Sequence, residues 1–191
     1  MRVVLATGNA DKVAELRPLL APREVAAAPE GFDVEETGVT LFQNAWLKAR
    51  ALRERIDDDS VVLADDTGLV VHALGGRPGV FSARYAGPDA TYADNCRRLL
   101  EELEGVDDRA AAFVCVLVGL RADGSMLVAS GSCPGRIAPA MRGAGGFGYD
   151  PVFLPEGEDR SMAEMTREEK AAISHRGRAA RRMAALLDEP A

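Results

Sequence analysis

The chain opens on a short apolar run, Val3-Val4-Leu5-Ala6, that breaks into Thr7-Gly8-Asn9 and resumes apolar positions at Val13, Leu16 and Leu20. A run too short for a helix, then apolar residues three and four apart, predicts strand, loop, helix. A Thr40-Leu41-Phe42-Gln43 capping box opens a second helix with Ala45, Ala49, Leu52 and Ile56 along its apolar side. Residues 60–64 hold another strand, Val61-Val62-Leu63-Ala64, which Asp65-Asp66-Thr67-Gly68 is expected to halt. Thr91 with Asp94 starts a helix whose Cys96, Leu99, Leu100 and Leu103 fall at helical spacing. Residues 113–120 read as a long apolar strand that Arg121-Ala122-Asp123-Gly124 turns back into Met126-Leu127-Val128-Ala129. Asp-Gly between two such runs predicts an antiparallel hairpin. Thr166 with Glu169 forms another capping box, and the chain stays helix-prone to about Leu187. A break is expected near Ser174, because Gly177 is awkward in a continuous helix. Strand–helix alternation followed by a hairpin predicts an α/β or α+β domain with a mixed sheet.

Composition narrows this picture. At 191 residues, 47% hydrophobic and 28% charged, the chain fits one globular domain, with or without two lobes, and argues against disorder. There is no internal repeat or low-complexity linker, so no domain boundary is placed. The net charge of −7, from 23 Lys plus Arg against 30 Asp plus Glu, argues against nucleic acid as a partner, since its backbone is bound by neutralising many phosphates. A single small anion remains possible, because it needs only a local site. Cys96, Cys115 and Cys133 are odd in number and widely spaced, giving neither a disulfide framework nor a zinc site. No apolar run approaches membrane-spanning length, and the N-terminus begins on a strand pattern without a signal peptide. A cytoplasmic protein with no membrane partner is expected.

The residues that interrupt the pattern carry the candidate chemistry. The first loop feeds a helix start, where unpaired N–H groups and the helix dipole suit an anion, and Lys12 adds a full charge. It matches neither GxxxxGK[ST] nor GxGxxG; taken alone, Gly8-Asn9 reads as a plain turn and Lys12 as a solvated first-turn residue. Asp65-Asp66 falls where a strand is expected to end, and ligands in open α/β sheets gather beyond the carboxyl ends of strands. Adjacent carboxylates repel each other unless a cation or a shifted pKa relieves them. Hard oxygen donors without a histidine cluster suit Mg²⁺ held partly through water and substrate phosphate. An acidic strand-to-turn junction, with Asp66 as the cap of the next element, fits the spacing equally well. Glu35-Glu36-Thr37-Gly38 is on its own a solvated turn, of interest as a second source of metal ligands. In GAGGFGYDP, residues 143–151, the many glycines suggest close approach of backbone to something. Phe147 and Tyr149 there offer aromatic faces to a planar base, and Asp150 can accept hydrogen bonds. A mobile surface loop is the alternative, but such loops rarely carry two aromatics in three residues. Finally, His175 and Arg176 at the expected helix break, with Lys170 nearby, would point donors into a cleft. A lone histidine is usually structural, and Arg178, Arg181 and Arg182 read as a solvated helix face.

The motifs TGNADK, EETGVTLFQNAWLKA, LADDTGL, LGGRPGVFSARYAG, GGFGYDPVF and MTREEKAAISHRG succeed one another along nearly the whole chain. In this order they resemble the non-canonical purine NTP pyrophosphatases, the Ham1-like inosine/xanthosine triphosphate pyrophosphatase family, over about residues 2–187. Each piece is common alone, and the joint pattern is specific. The resemblance implies a Mg²⁺-dependent hydrolase that converts ITP, dITP and XTP to the monophosphate and pyrophosphate, clearing deaminated purines from the nucleotide pool. It implies an α/β fold, an elongated mixed sheet flanked by helices, as a single domain over residues 1–191 with two lobes and a central substrate cleft, in a homodimer.

On the matching positions, Thr7, Gly8, Asn9, Ala10, Asp11 and Lys12 would form the phosphate-side loop. Asp66 matches the family's proton acceptor and metal ligand, with Glu35 and Asp65 assisting at the metal, and Thr67 matches a substrate contact. Phe147, Gly148, Tyr149, Asp150, Lys170, His175 and Arg176 match the remaining substrate-binding positions, while Lys48 and Arg84 lie in family motifs with phosphate or support roles. Thr67 stands where many bacterial members have serine, which keeps the hydroxyl. Asp11 fills a variable part of the loop and is compatible with phosphate only if it turns outward to cap the helix. A 6-oxo purine presents an acceptor where adenine presents an amino donor, so donors from His175, Arg176 or loop backbone would accept one base and oppose the other. Two other classes are weighed against this: a house-cleaning enzyme for modified pyrimidine or 7-methylated guanine nucleotides, and a regulatory module that binds nucleotide without catalysis. The acidic set Glu35, Asp65 and Asp66 argues against the module, since a pure binder gains little from carboxylates beside phosphates.

Overall fold

The computed structural model describes residues 1–189. In chain order they form β1 (Arg2–Leu5), α1 (Ala10–Leu19), β2 (Glu24–Ala27), α2 (Leu41–Arg53), β3 (Val61–Val71), β4 (Pro78–Gly79), α3 (Tyr92–Glu102), β5 (Ala110–Leu120), β6 (Met126–Ile137), β7 (Phe153–Pro155), α4 (Arg167–Ile173) and α5 (His175–Asp188). Helix starts obey the local capping chemistry. Thr40 with Gln43, Thr91 with Asp94 and Thr166 with Glu169 each close a reciprocal capping box ahead of α2, α3 and α4. Before α1 the cap is Asn9, whose side chain accepts the Asp11 and Lys12 N–H groups; the helix therefore begins at Ala10, ahead of Lys12.

The sheet runs β2-β1-β3-β5-β6-β7, with β4 on the edge of β3. β1 pairs parallel with β2 and β3, whereas β3–β4 and β6–β7 are antiparallel. A turn closed by Arg121 N–H on the Ser125 carbonyl joins β5 to its neighbour β6. The expected mixed sheet with flanking helices is what the chain forms. Two local expectations are corrected. Asp65-Asp66-Thr67-Gly68 does not halt β3, which continues to Val71. What stops there is the partner: the parallel register of β1 ends at Leu5 opposite Leu63, two residues before the carboxylates. The helix break does fall at Ser174, where the backbone is extended, but Gly177 lies buried inside α5.

The chain gathers into two compact units, one of residues 1–66, 115–131 and 175 onward, the other of residues 67–114 and 132–174. In the first, successive strand residues face opposite ways. Val3, Leu5, Val61 and Leu63 join a core with Val13 and Leu16 of α1 and Ala179 and Met183 of α5. Val4, Ala6, Val62 and Ala64 join a separate core with Ala45, Ala49 and Leu52 of α2. The second unit has one core, where Leu69 and Val71 of β3 meet Cys96, Leu99 and Leu103 of α3 with Tyr149 and Phe153. There Phe113 and Phe153 pack with ring centroids 4.6 Å apart.

Candidate active site

The alternation that sorts the first unit's core also sorts its two carboxylates. Asp65 continues the Val61–Leu63 face toward α1 and α5. Lys12 Nζ lies 2.9 Å from its Oδ1, and Arg176 Nε and Nη2 lie 3.2 and 3.0 Å from its Oδ2. The third guanidinium nitrogen, Nη1, donates to Glu15 Oε2 at 2.6 Å. Glu15 comes three residues after Lys12 on α1, so both reach the same side. Asp66 continues the opposite face toward α2. Lys48 Nζ sits 2.9 Å from its Oδ1 and 2.8 Å from Glu36 Oε1, bridging the two carboxylates, while the Asn44 amide donates toward Asp66 Oδ2 at 3.4 Å. Asp65, Asp66, Lys48, Asn44, His175 and Arg176 are all buried.

Electrostatics distinguish the two aspartates. Burial alone would raise Asp65, but Lys12 and Arg176 outweigh it and hold the carboxyl well below the usual range. Burial also dominates at Asp66, and the Glu36 charge adds to it against the opposing pull of Lys48; its pKa ends up raised. Lys48 is buried yet keeps a raised pKa, because Asp66, Asp65 and Glu36 favour its charged form. Arg176 is likewise held charged against burial by Asp65.

The opening loop spends part of its polarity on itself. Asn9 N–H donates to Thr7 Oγ1 at 3.1 Å, and Asn9 Oδ1 receives Asp11 and Lys12 N–H at 2.9 and 3.3 Å. Lys12 is thus the charge this loop brings to the cluster. Asp11 is exposed in the first turn; the expectation that it caps the helix is corrected, because Asn9 does so. Thr67 is half-buried within β3, and Glu35 is exposed. The carboxylate that reaches Lys48 belongs to Glu36, next in sequence. At the start of α5 the backbone comes close to β6 at Gly131, where a Cβ would collide with the His175 carbonyl and lie 2.5 Å from Ala179 N. A side chain there would displace the turn that carries Arg176.

In the second unit, Asp150 organises the glycine-rich loop. Its Oδ2 accepts the Phe147 N–H at 2.8 Å and ion-pairs with Lys170, both side chains being buried. Lys170 Nζ lies 4.8 Å from the Phe147 ring centroid, a cation–π geometry. Tyr92 sets its ring 5.9 Å from that of Phe147, tilted 46°. Tyr149 belongs to the core, its hydroxyl donating to the Ser82 carbonyl at 2.8 Å; of the two aromatics expected to offer a face, it is the buried one. Gly148, next after Phe147, has a left-handed φ of 62°, which suits glycine, and its carbonyl accepts from Cys96 Sγ. Arg84 lies over the Phe81 ring at 5.4 Å.

Sequence reasoning missed Glu15, Asn44 and Tyr92, and undervalued Glu36. Signals existed for two of them: Glu15 shares a helical face with Lys12, and Asn44 lies four residues before Lys48 among the buried positions of α2.

Among the described residues, no three His, Cys, Asp or Glu side chains converge as a ready-made metal cage. The donor chemistry nonetheless is of the hard-oxygen kind. Asp66 and Glu36 present hard oxygens around a single ammonium, donors that suit a hard divalent cation whose shell is completed by water and phosphate.

In the first unit the carboxylates of Glu15, Glu36, Asp65 and Asp66 alternate with the cations Lys12, Lys48 and Arg176. Residues 3–186 match the Ham1 family, and the chain belongs to it. A protein of Shigella flexneri named dITP/XTP pyrophosphatase is 52% identical over 186 residues, 93% of each chain. The protein of that name from Escherichia coli K12 is 50% identical over the same share. Among solved structures, the Ham1 protein of Staphylococcus aureus superposes with a TM-score of 0.87 at 39% identity over 98% of each chain. A HAM1 protein from Coxiella burnetii gives 0.86 at 40% identity over the full length of both.

Proposed function

We propose that the chain hydrolyses ITP, dITP and XTP to the nucleoside monophosphate and pyrophosphate, clearing non-canonical purines from the nucleotide pool. The observation that carries this reading is Asp66: a buried carboxylate with a raised pKa, 2.9 Å from a Lys48 ammonium that also reaches Glu36. A carboxylate is a side chain able to accept a proton from a water molecule. Lys12, with the Thr7–Gly8–Asn9–Ala10 loop, is assigned to the triphosphate, whose charge it offsets. Asp65 holds Lys12 in place, and Arg176, anchored by Glu15, holds Asp65. Each guanidinium nitrogen of Arg176 sets one N–H on a carboxylate, three of its five donors, and discrimination at the 6-position is assigned to His175 together with Arg176. Thr67 contributes a hydroxyl, and Phe147, held by Asp150 and Lys170, an aromatic face for the base.

Mg²⁺ is the metal this donor set suits, held by Asp66 and Glu36; in place of the exposed Glu35, Glu36 takes the second position. When bound it supplies charge offset for the phosphates and a lowered pKa for water. A homodimer in the cytoplasm, each chain a single domain, completes the reading. No helix among the described residues is long and apolar enough to cross a membrane.

The decisive experiment measures pyrophosphate release from ITP, XTP, dATP and dTTP with Mg²⁺ and after EDTA. Release from ITP and XTP alone, lost with EDTA and restored by Mg²⁺, is expected. Equal release from dTTP would place the chain with pyrimidine house-cleaning enzymes, and no release from any would leave a binding module.

A further inference from the structure

Asn44 is fully buried in α2, and both ends of its amide are engaged. Its Oδ1 accepts the Gly38 N–H at 2.8 Å. Because a backbone N–H needs an acceptor, the oxygen must face Gly38, and the NH₂ is left on the other side, toward Asp66 Oδ2. The approach at Gly38 requires glycine: a Cβ there would come 2.5 Å from Asn44 Oδ1 and 2.9 Å from its backbone N. Gly38 stands two residues after Glu36, whose carboxylate shares the Lys48 ammonium with Asp66. Asn44 and Lys48, one helical turn apart, therefore address the same two groups. The ammonium bridges the carboxylates, and the amide ties the loop of one to the carboxylate of the other.

We propose that Asn44 is a positioning residue for the hydrolysis, fixing the orientation of Asp66 through Nδ2 while Oδ1 keeps the Glu36 loop in register. This rests on the reading of Asp66 as proton acceptor. With Oδ1 of Asp66 on Lys48 and Oδ2 on Asn44, the carboxylate cannot rotate without losing one partner. Partners of this kind, which orient a reacting group without touching the substrate, change turnover by about 10–100-fold when removed.

Two substitutions separate this role from simple anchoring of the loop. Asn44→Asp keeps an oxygen for the Gly38 N–H but sets a carboxylate oxygen, and no donor, against Asp66. Asn44→Ala removes both contacts. If Asn44 orients Asp66, kcat for ITP falls by about 100-fold in Asn44→Asp, further than in Asn44→Ala, with KM changed by less than about threefold in each. If Asn44 only anchors the loop, the order reverses, Asn44→Asp staying near wild type, and the proposal is overturned. Should Asn44→Asp fail to give a cooperative melt, Gly38→Ala displaces the same amide from the loop side. A fall in its kcat of about 10-fold at constant KM is expected, and an unchanged kcat overturns the proposal. Wild-type protein inactive on ITP, dITP and XTP would instead defeat the functional reading itself, so the two failures are distinct.

Discussion

The two faces of β3 offer a controlled comparison. Asp65 and Asp66 are neighbours in sequence, buried alike and set in one strand, yet one is pinned as an anion and the other is pushed toward its neutral form. The cause is the number of cations on each side. Asp65 faces an ammonium and a guanidinium, whereas Asp66 shares one ammonium with a second carboxylate. Burial is common to both and does not explain the difference. One carboxylate is held between two cations and its neighbour shares one with a second carboxylate, and a strand achieves this by pointing consecutive side chains into separate surroundings.

Substitutions on the two faces should therefore differ in kind. Asp66→Asn is expected to lower kcat by about 10²–10⁴-fold while still melting cooperatively, since Glu36 remains to pair Lys48. Near wild-type hydrolysis of ITP would break the contrast.

Asp65→Asn should act through stability, leaving Arg176 buried with Glu15 alone, at a cost of about 3–5 kcal/mol in urea unfolding at neutral pH. The pH dependence has a definite sign. The folded pKa of Asp65 is depressed, so its contribution is present above the unfolded value of about 3.9 and is lost as pH falls below it. The gap between wild type and Asp65→Asn should narrow in acid. Asp66, raised when folded, contributes in the opposite sense: its term is present below about pH 3.9 and is lost as pH rises through the raised value. A gap for Asp65→Asn that widens in acid would contradict the assignment.

Lys12→Ala tests whether the Asp65 face also serves substrate. A similar fall of about 10–100-fold in kcat/KM for ITP, XTP and dATP is expected, with the ITP-to-dATP ratio kept, because every triphosphate shares the group. A changed ratio would move Lys12 to the base end. The smallest effect is expected at Tyr92→Leu, outside both faces: a rise of a few-fold in KM for ITP, about 1 kcal/mol of lost ring contact beside Phe147, with kcat unchanged. A fall in kcat would give Tyr92 a larger part.

Legibility in the sequence tracks the range of each interaction. Caps at Thr40, Thr91 and Thr166 were legible because a hydroxyl and its N–H partner stand three residues apart. The continuation of β3 through Asp65 and Asp66 was not, since aspartate disfavours strands and the groups that permit it, Lys12, Lys48 and Arg176, are brought in by the fold. For the same reason the anchoring of Arg176 was hidden: nothing local shows that it sets N–H groups on Asp65 and Glu15. Glu35 and Glu36 could not be separated by spacing, because only the loop's path decides which one meets Lys48. The division into two units left no trace in composition, as β3, β5 and β6 each run on through the change.

The opposite orientation of Asp65 and Asp66 also bears on how such a chain can vary. Changes that accommodate a new residue at position 65 belong on α1 and α5, whereas those that accommodate one at position 66 belong on α2 and the Glu36 loop. Two adjacent codons thus answer to separate sets of compensating positions, and a combinatorial library should show them drifting in independent blocks. An insertion or deletion of one residue between Leu63 and Asp65 would exchange the two surroundings at a stroke. The segment should therefore tolerate replacement of its residues far better than any change in their number.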